Sequence, residues 1–264
     1  YTGQTAAVVI GQIFDGEDFG YLLDDTLSDI PLFGHIPYTT KRNALVQVAF
    51  AIGAVVDTSN YDGVMIYSQQ TELSGTFTQA DAFDGLTLEH SDVVTGIRIS
   101  VHTYQPSEEI EELYNDVLNG TAEVIFSEPH YDLSVTGGEL VKHGDNYAVI
   151  KGTGETVILR GKKYTHLTTS LLKENPAIVF NKNVKEVSSA TLVHTGNAKE
   201  VLNRVYEYYQ RAENVRGDVL LSNKMLGQVV GVDTAYDGQR EGTIESISYQ
   251  FGIKEIRAEV VIHE

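Results

Sequence analysis

Between residues 121 and 180 the chain is a succession of short apolar segments: Ala122–Phe126, Asp132–Val135, Tyr147–Ile150, Thr156–Leu159 and Ile178–Phe180. They are set apart by Gly137-Gly138, Gly144-Asp145-Asn146 and Gly152-Thr153-Gly154. Apolar runs this short suit strands better than helices, and glycines with Asp and Asn at these intervals are turn residues. Strands of that length, turned that often, predict a barrel or a sandwich.

The rest of the chain adds helices and a hairpin. Thr5–Phe14 places Ala6, Val9, Ile10 and Ile13 at helical spacing, stopped by Asp15-Gly16. Thr39 or Thr40 caps a second helix, whose stripe is Leu45, Val48, Ala49 and Ile52, and Gly53 sits where a left-handed residue closes a helix. Ala54–Asp57 and Val64–Tyr67 then read as strand, turn and strand. Further on, Ile97, Ile99 and Val101 alternate with Arg98, Ser100 and His102 until Gln105-Pro106-Ser107, where proline predicts a break. The acidic run Glu108–Glu112 that follows fits a short helix or a solvated loop. Asn197, with Glu200 three residues on, predicts a capping box for a helix over 197–211, with Val201, Leu202, Val205, Tyr208 and Tyr209 on its buried side. Near the end, Val229–Tyr236 and Gly242–Tyr249 alternate around Asp237-Gly238, a two-residue hairpin turn signal. The fold class is therefore α+β and predominantly β. It is read as a helix-and-strand subdomain over 1–104 and a barrel-like β subdomain over 105–264, braced by the 197–211 helix and ending in the hairpin, with the two amphipathic helices packed on it.

Composition excludes several functions. Net charge is −18, from 37 acidic and 19 basic residues, which disfavours tight binding to phosphate backbones or to an anionic membrane surface. With zero Cys there is no disulfide framework, thiolate metal site or thiol nucleophile. The longest apolar run, near Val46–Val56, falls short of the roughly 20 residues that span a bilayer. The start at Tyr1 instead of Met reads as a processed or truncated end.

Two segments carry a family resemblance. Thr39–Asp57, with Ala44, Leu45, Val48, Ala49, Ile52, Gly53 and Ala54, is similar to the helix-Gly-Ala-strand unit of phage baseplate hub and tail-tip proteins and of late-control prophage tail proteins. Leu226–Ser246, with Gly227, Val229, Val232, Thr234, Gly238, Gly242 and Ile244, resembles that family's C-terminal hairpin. The resemblance covers about half the chain and leaves residues 106–190 unaligned. It implies a structural role in a virion: a ring of copies of this chain, most often a trimer, joining the tail tube to a spike or fibre and assembled with other tail proteins in the host cytoplasm. The family's usual β-rich segment before the first helix has no counterpart here, so an incomplete tube domain is expected. The alternative of a different class is an envelope-polymer hydrolase or sugar-binding module of a tail, and a third is an unrelated secreted β-protein.

No catalytic, cofactor-binding or metal-ligating residue is assigned. The eight His residues show no His-x-x-x-His, His-x-His or His-Glu-x-x-His spacing, and His130 with His143 is the one pair that a hairpin brings near. Glycosidase chemistry needs two facing carboxyls. Asp24-Asp25, Glu108-Glu109, Glu111-Glu112 and Asp81 with Asp84 are candidates only as any acids are, and fit solvated loops better. No Gly-x-Ser-x-Gly or Gly-Lys-Ser/Thr occurs, Gly152-Thr153-Gly154 lacks the rest of a dinucleotide fingerprint, and Asn119-Gly120-Thr121 matches a glycosylation pattern that carries no meaning in a bacterial host. The expectation is a non-enzyme whose acidic surplus serves solubility or keeps DNA from adhering to a passage it must slide through.

Overall fold

The computed structural model describes residues 1–59, 63–83, 85–179, 181–220, 223–234, 238–251 and 256–264, with Ile256 described for its backbone alone. Strand accounts for 56% of the chain and helix for 15%.

The chain opens with β1 (Thr2–Thr5) and α1 (Ala6–Phe14), whose N-terminus is capped by the Thr5 hydroxyl accepting from the Val8 N–H. β2 (Gly20–Leu23), the single turn α2 (Asp25–Ser28) and β3 (Pro31–Phe33) follow. In α3 (Lys41–Ile52), Thr40 is the cap, accepting from Asn43 N–H at 3.3 Å, and Gly53 takes φ +74° at the far end, as the pattern predicts. β4 (Ala54–Asp57) and β5 (Gly63–Ser68) pair antiparallel, with β2 added parallel to β5; β1 and β3 pair by themselves. Val9, Ile10, Leu32, Val48, Ile66 and Leu192 form the core of this region, each at most 1% exposed.

β6 (Leu73–Phe77) and β7 (Thr87–His90) lead into β8 (Gly96–Ile125). β9 (His130–Thr136), β10 (Glu139–His143) and β11 (Tyr147–Glu174) come next, and β8 and β11 pair along nearly their whole length, from Gly96 with Glu174 to Ile125 with Tyr147. β9 and β10 lie on the other edge of β11, while β12 (Val184–Val187) runs parallel to the first residues of β8. After α4 (Ala198–Gln210), β13 (Glu213–Leu220), β14 (Val229–Thr234), β15 (Gly238–Phe251) and β16 (Ile256–His263) build a six-stranded sheet in the order β6-β14-β15-β16-β13-β7.

Several expectations are corrected. The sheet has β6 and β7 at its two edges, with no pairing between them among the described residues, so it is open and not a closed barrel. Its edge strands come from before residue 104 and its middle from after residue 213, so strands from both sides of the expected 104/105 division share one sheet. β8 does not end at Gln105-Pro106-Ser107, and Glu108–Glu112 is strand. Beyond Ile99 no second strand pairs with the outer edge of β8 among the described residues, and an edge strand tolerates a residue without an N–H.

Nor is Gly152-Thr153-Gly154 a turn: it lies inside β11 opposite Gly120 and Asn119, where the register slips between Thr153 and Glu155. Gly154 takes φ +97°, and a Cβ on Gly152 would sit 2.4 Å from the Leu118 carbonyl oxygen. A bulge twists the ribbon at that point while pairing continues. The other two expected turns, Gly137-Gly138 and Gly144–Asn146, do connect strands. Residues 175–179 form no strand, and Phe180 lies outside the described residues.

The capping box at Asn197 does not form either. Its side chain turns back, Oδ1 accepting from His194 N–H at 2.9 Å and Nδ2 donating to the Leu192 carbonyl at 3.1 Å, while Glu200 pairs with Arg204 at 3.1 Å. Val201 and Leu202 are buried as expected, Val205 and Tyr209 partly so, and Tyr208 is 39% exposed. In the terminal hairpin, β14 and β15 pair with Thr234 opposite Gly238, so residues 235–237 lie between the paired ends. Asp237, half of the expected two-residue turn, falls outside the described residues; Gly238 takes φ +77°.

Leu202 is 6% exposed, in a core shared with Ile97, Ile99 and Val201. Leu202→Ala should therefore cost about 2–5 kcal/mol in urea denaturation, and Gly152→Ala about 1–3 kcal/mol, because its closest neighbour is backbone. Exposed Glu109→Ala should stay within about 0.5 kcal/mol. A reversed ranking would contradict the packing described.

Candidate functional site

The ribbon of β8 and β11 carries two separate cores. At its base, Ile97, Ile99 and Val101 pack under α4; at its far end, Leu118, Ala148, Ile150, Val157 and Leu159 pack with side chains of β9 and β10. Between them runs a ladder of opposite charges. Arg160 lies directly across from Glu112 and meets it at 3.2 Å, Lys162 reaches Glu108 at 2.7 Å and Asp132 at 3.3 Å, and Lys163 reaches Glu109 at 2.8 Å. Exposed pairs of this kind contribute little singly, but they hold the register where neither core reaches. Glu108, Glu109 and Glu112 of the acidic run are therefore matched by β11 cations, and Glu111 meets His130 of β9.

Two of the other candidate acids, Asp24 and Asp81, have structural partners too. Asp24 caps α2 by accepting from the Thr26 N–H and hydroxyl, both at 2.9 Å, and these bonds hold its carboxyl below the usual range. Asp81 accepts from Thr78 in the same way, and Asp84 lies outside the described residues. His130 and His143 remain apart in role: His130 is buried, with Nε2 2.8 Å from Glu111 and Nδ1 2.9 Å from the Glu128 carbonyl, while His143 is exposed at the end of β10. Asn119-Gly120-Thr121 is exposed strand within β8.

Sequence reasoning missed a different histidine group. Where β8 passes the segment after β3 and the segment before α4, a cavity of about 460 Å³ is lined by His35, His102, Tyr104, Asp145, Tyr164 and His194, among others. His102 Nδ1 and His166 Nε2 are 2.8 Å apart, with the rings stacked at 5.1 Å between centroids. Tyr104 stacks on His166 at 4.4 Å and meets His35 edge-on at 5.8 Å, and Glu128 stands 3.4 Å from His166 Nδ1. His102 is 6% exposed, and among the described residues its Nε2 has no hydrogen-bond partner within 3.5 Å, although the nearby Ser188 backbone favours its charged form.

Burial pushes the imidazole of His35 down to about 4, helped by the nearby Tyr1 amino group and His166. Burial and His166 lower His102, burial lowers His194, and burial with the charge of Glu128 pushes the Tyr104 hydroxyl up to about 12. Among the described residues no group of three or more His, Asp or Glu is placed to hold a metal, and no helix is long and apolar enough to cross a membrane. What the group can do is exchange protons. Its members come from six separated stretches, and the local signals are that His102 with Tyr104, and Tyr164 with His166, each share one face of a strand.

No protein-family model matches the chain, and no curated protein is similar to it in sequence. Three solved structures share its fold across 99% of its length. They are the 43 kDa tail protein of prophage MuSo2 from Shewanella oneidensis (TM-score 0.55, 10% identity, 65% of that chain), a tail protein from Neisseria meningitidis MC58 (0.57, 8%, 67%) and a chain from the virion of a native gene transfer agent particle (0.59, 10%, 48%). The chain thus spans between about half and two thirds of the length of these proteins. At such identities the likeness is one of fold, shared with these two tail proteins and the virion chain.

His35 yields a pH prediction. Its folded value of about 4 lies below the ordinary 6.5, so the unfolded chain binds its proton more tightly. Stability is then fully present above pH 6.5 and falls as pH drops towards 4, by on the order of 2–3 kcal/mol from this group. Urea midpoints measured across that range should fall less steeply for His35→Phe than for the wild type; equal slopes would contradict the assignment.

Proposed function

We propose that the chain is a structural component of a bacteriophage or prophage tail, a baseplate hub or tail-tip protein that joins the tail tube to a spike or fibre without catalysing a reaction. The observation that carries this is the sharing of its fold, over 99% of its length, with two tail proteins and a gene transfer agent virion chain. Assembly with copies of itself, as a trimer, and with other tail proteins in a virion belongs to the same reading.

Three features support it. Beyond His102, whose N–H donates to the Val193 carbonyl, the outer edge of β8 pairs with no strand among the described residues, and natural proteins cover such edges, here with a neighbouring subunit. The ribbon exposes Ile110 and Val117 at 62% each and Ile125 at 55%, and β10 exposes Val141 at 54%, apolar area available to a partner. Four of the candidate carboxylates, Glu108, Glu109, Glu111 and Glu112, are engaged by Lys162, Lys163, His130 and Arg160.

Sedimentation of the purified 29.1 kDa chain, alone and with the tail-tube protein from the same phage, is expected to reveal a trimer. Val117→Lys, on the exposed ribbon, should leave the monomer folded and weaken association about tenfold or more, the factor that 1.4 kcal/mol of lost contact produces. A chain that stays monomeric in both settings and is missing from purified tails would contradict the proposal, as would turnover of peptidoglycan or teichoic acid abolished by one carboxylate replacement.

A further inference from the structure

The cavity of about 460 Å³ beside the ribbon is lined by polar groups that lack partners. His35 is 9% exposed, and its ring nitrogens make no hydrogen bond among the described residues. The fully shielded side-chain nitrogen without a partner is that of His102, so those of His35 open onto space, and the space is the cavity. His194 is fixed in one tautomer: the Gly196 N–H donates to its Nδ1 at 3.0 Å, which leaves the hydrogen on Nε2 without an acceptor among the described residues. Burial lowers both imidazoles, that of His35 to about 4, so both are uncharged at neutral pH. The Tyr104 and Tyr164 hydroxyls and the Asp145 carboxylate stand on the same walls and likewise make no hydrogen bond among the described residues.

Backbone and side-chain bonds hold these walls in place. The Thr191 hydroxyl donates to the His35 carbonyl, Asn146 Nδ2 to the Ile36 carbonyl at 2.9 Å, and the His130 N–H to the Asp145 carbonyl at 2.7 Å. Gly34 takes φ +121°, and a Cβ there would stand 2.4 Å from the Thr191 carbonyl oxygen, so the two segments meet as bare backbone. The cavity is therefore preformed, and its volume falls in the range of small-molecule sites, roughly 300–1,000 Å³.

Chemistry narrows the ligand. A wholly apolar molecule would desolvate these polar groups and give them nothing in return. An anion would meet the Asp145 carboxylate and two uncharged imidazoles, and a cation would meet the Tyr1 amino group at the same cavity. A neutral molecule with hydroxyl edges and an apolar face remains. Tyrosine hydroxyls and neutral imidazoles each donate and accept, as sugar hydroxyls do, and a carboxylate accepts from two neighbouring hydroxyls at once. The rings of Phe33, Tyr104 and Tyr164 supply apolar surface for the C–H face of a sugar.

We propose that the cavity is a binding site for a neutral hexopyranose, with His35, His194, Tyr104, Tyr164 and Asp145 contacting its hydroxyls and Phe33 covering its C–H face. The site is separate from the architectural role, and neither reading requires the other.

Heteronuclear NMR of the full chain tests this with glucose, galactose and N-acetylglucosamine as probes. At least one of them should bind with a Kd on the order of 1 mM and shift the signals of His35, His194, Tyr104 and Tyr164. Tyr164→Phe, which keeps the ring and removes the hydroxyl, should weaken that binding about fivefold, and Asp145→Asn about tenfold. Glucuronate, whose carboxylate meets Asp145, should bind about tenfold more weakly than glucose. Failure of all three sugars to shift these signals at ten times that concentration would overturn the proposal. So would shifts confined to another surface, affinity unchanged in both variants, or tighter binding of choline or glucuronate than of every neutral sugar. If neither variant folds, contacts between sugar protons and the Tyr104 and Tyr164 rings in the wild type decide: their presence supports the site, and their absence overturns it.

Discussion

The pairing of β8 with β11 is the constraint on which the rest of the molecule depends. Typical strands run about 5–6 residues, whereas these have 30 and 28. Each end finds its own core, α4 and β12 at the base and β9 with β10 at the far end. The stretch between them is held by backbone bonds, the Arg160, Lys162 and Lys163 ion pairs, and Gly161, where a Cβ would come within 2.6 Å of Leu133 at the margin of the far-end core. Register slips at Thr153/Glu155, Leu159/Arg160 and Lys162/Tyr164 let the ribbon bend between cores without losing pairing.

What could be read from the sequence was what is decided locally. Thr5, Thr40 and Gly53 mark helix ends because capping and a positive φ involve only neighbouring residues. The strands around residue 229 and beyond follow from alternation. Where tertiary context decides, local signals mislead. Pro106 signals a break, yet it lies on a strand whose second edge is open, so its missing N–H costs no ladder bond. Gly152 and Gly154 look like turn residues, yet one leaves room for the Leu118 carbonyl and the other shapes a bulge. Asn197 and Glu200 have the spacing of a capping box, but the Leu192–His194 backbone competes for the Asn197 side chain and Arg204 for Glu200.

The histidine joint was illegible for a stricter reason. His35, His102, His166 and His194 come together only after the β8–β11 register sets Tyr104 opposite His166. No spacing along the chain encodes that register. The open edge of β8 likewise has no sequence signature, since an edge strand and a central one can carry the same alternation. Both features hang on the same pairing: a ribbon that carries two cores offers a long surface for neighbours, and its crossing past the segment after β3 forms the cavity.

Continuity of the ribbon through Pro106 can be measured directly because the chain has zero Cys, so every disulfide formed would be an introduced one. Cysteines placed at Gln105 and Thr165 on one side of Pro106, and at Asn115 and Ile158 on the other, occupy positions that face each other across the ladder. Oxidation of the two double variants should give intrachain disulfides in both, while Gln105 with Leu167, two residues out of register, should cross-link poorly. Efficient cross-linking of the shifted pair, or of only the pair near the base, would mean that β8 ends where the proline first suggests, and the shared ribbon would have to be abandoned.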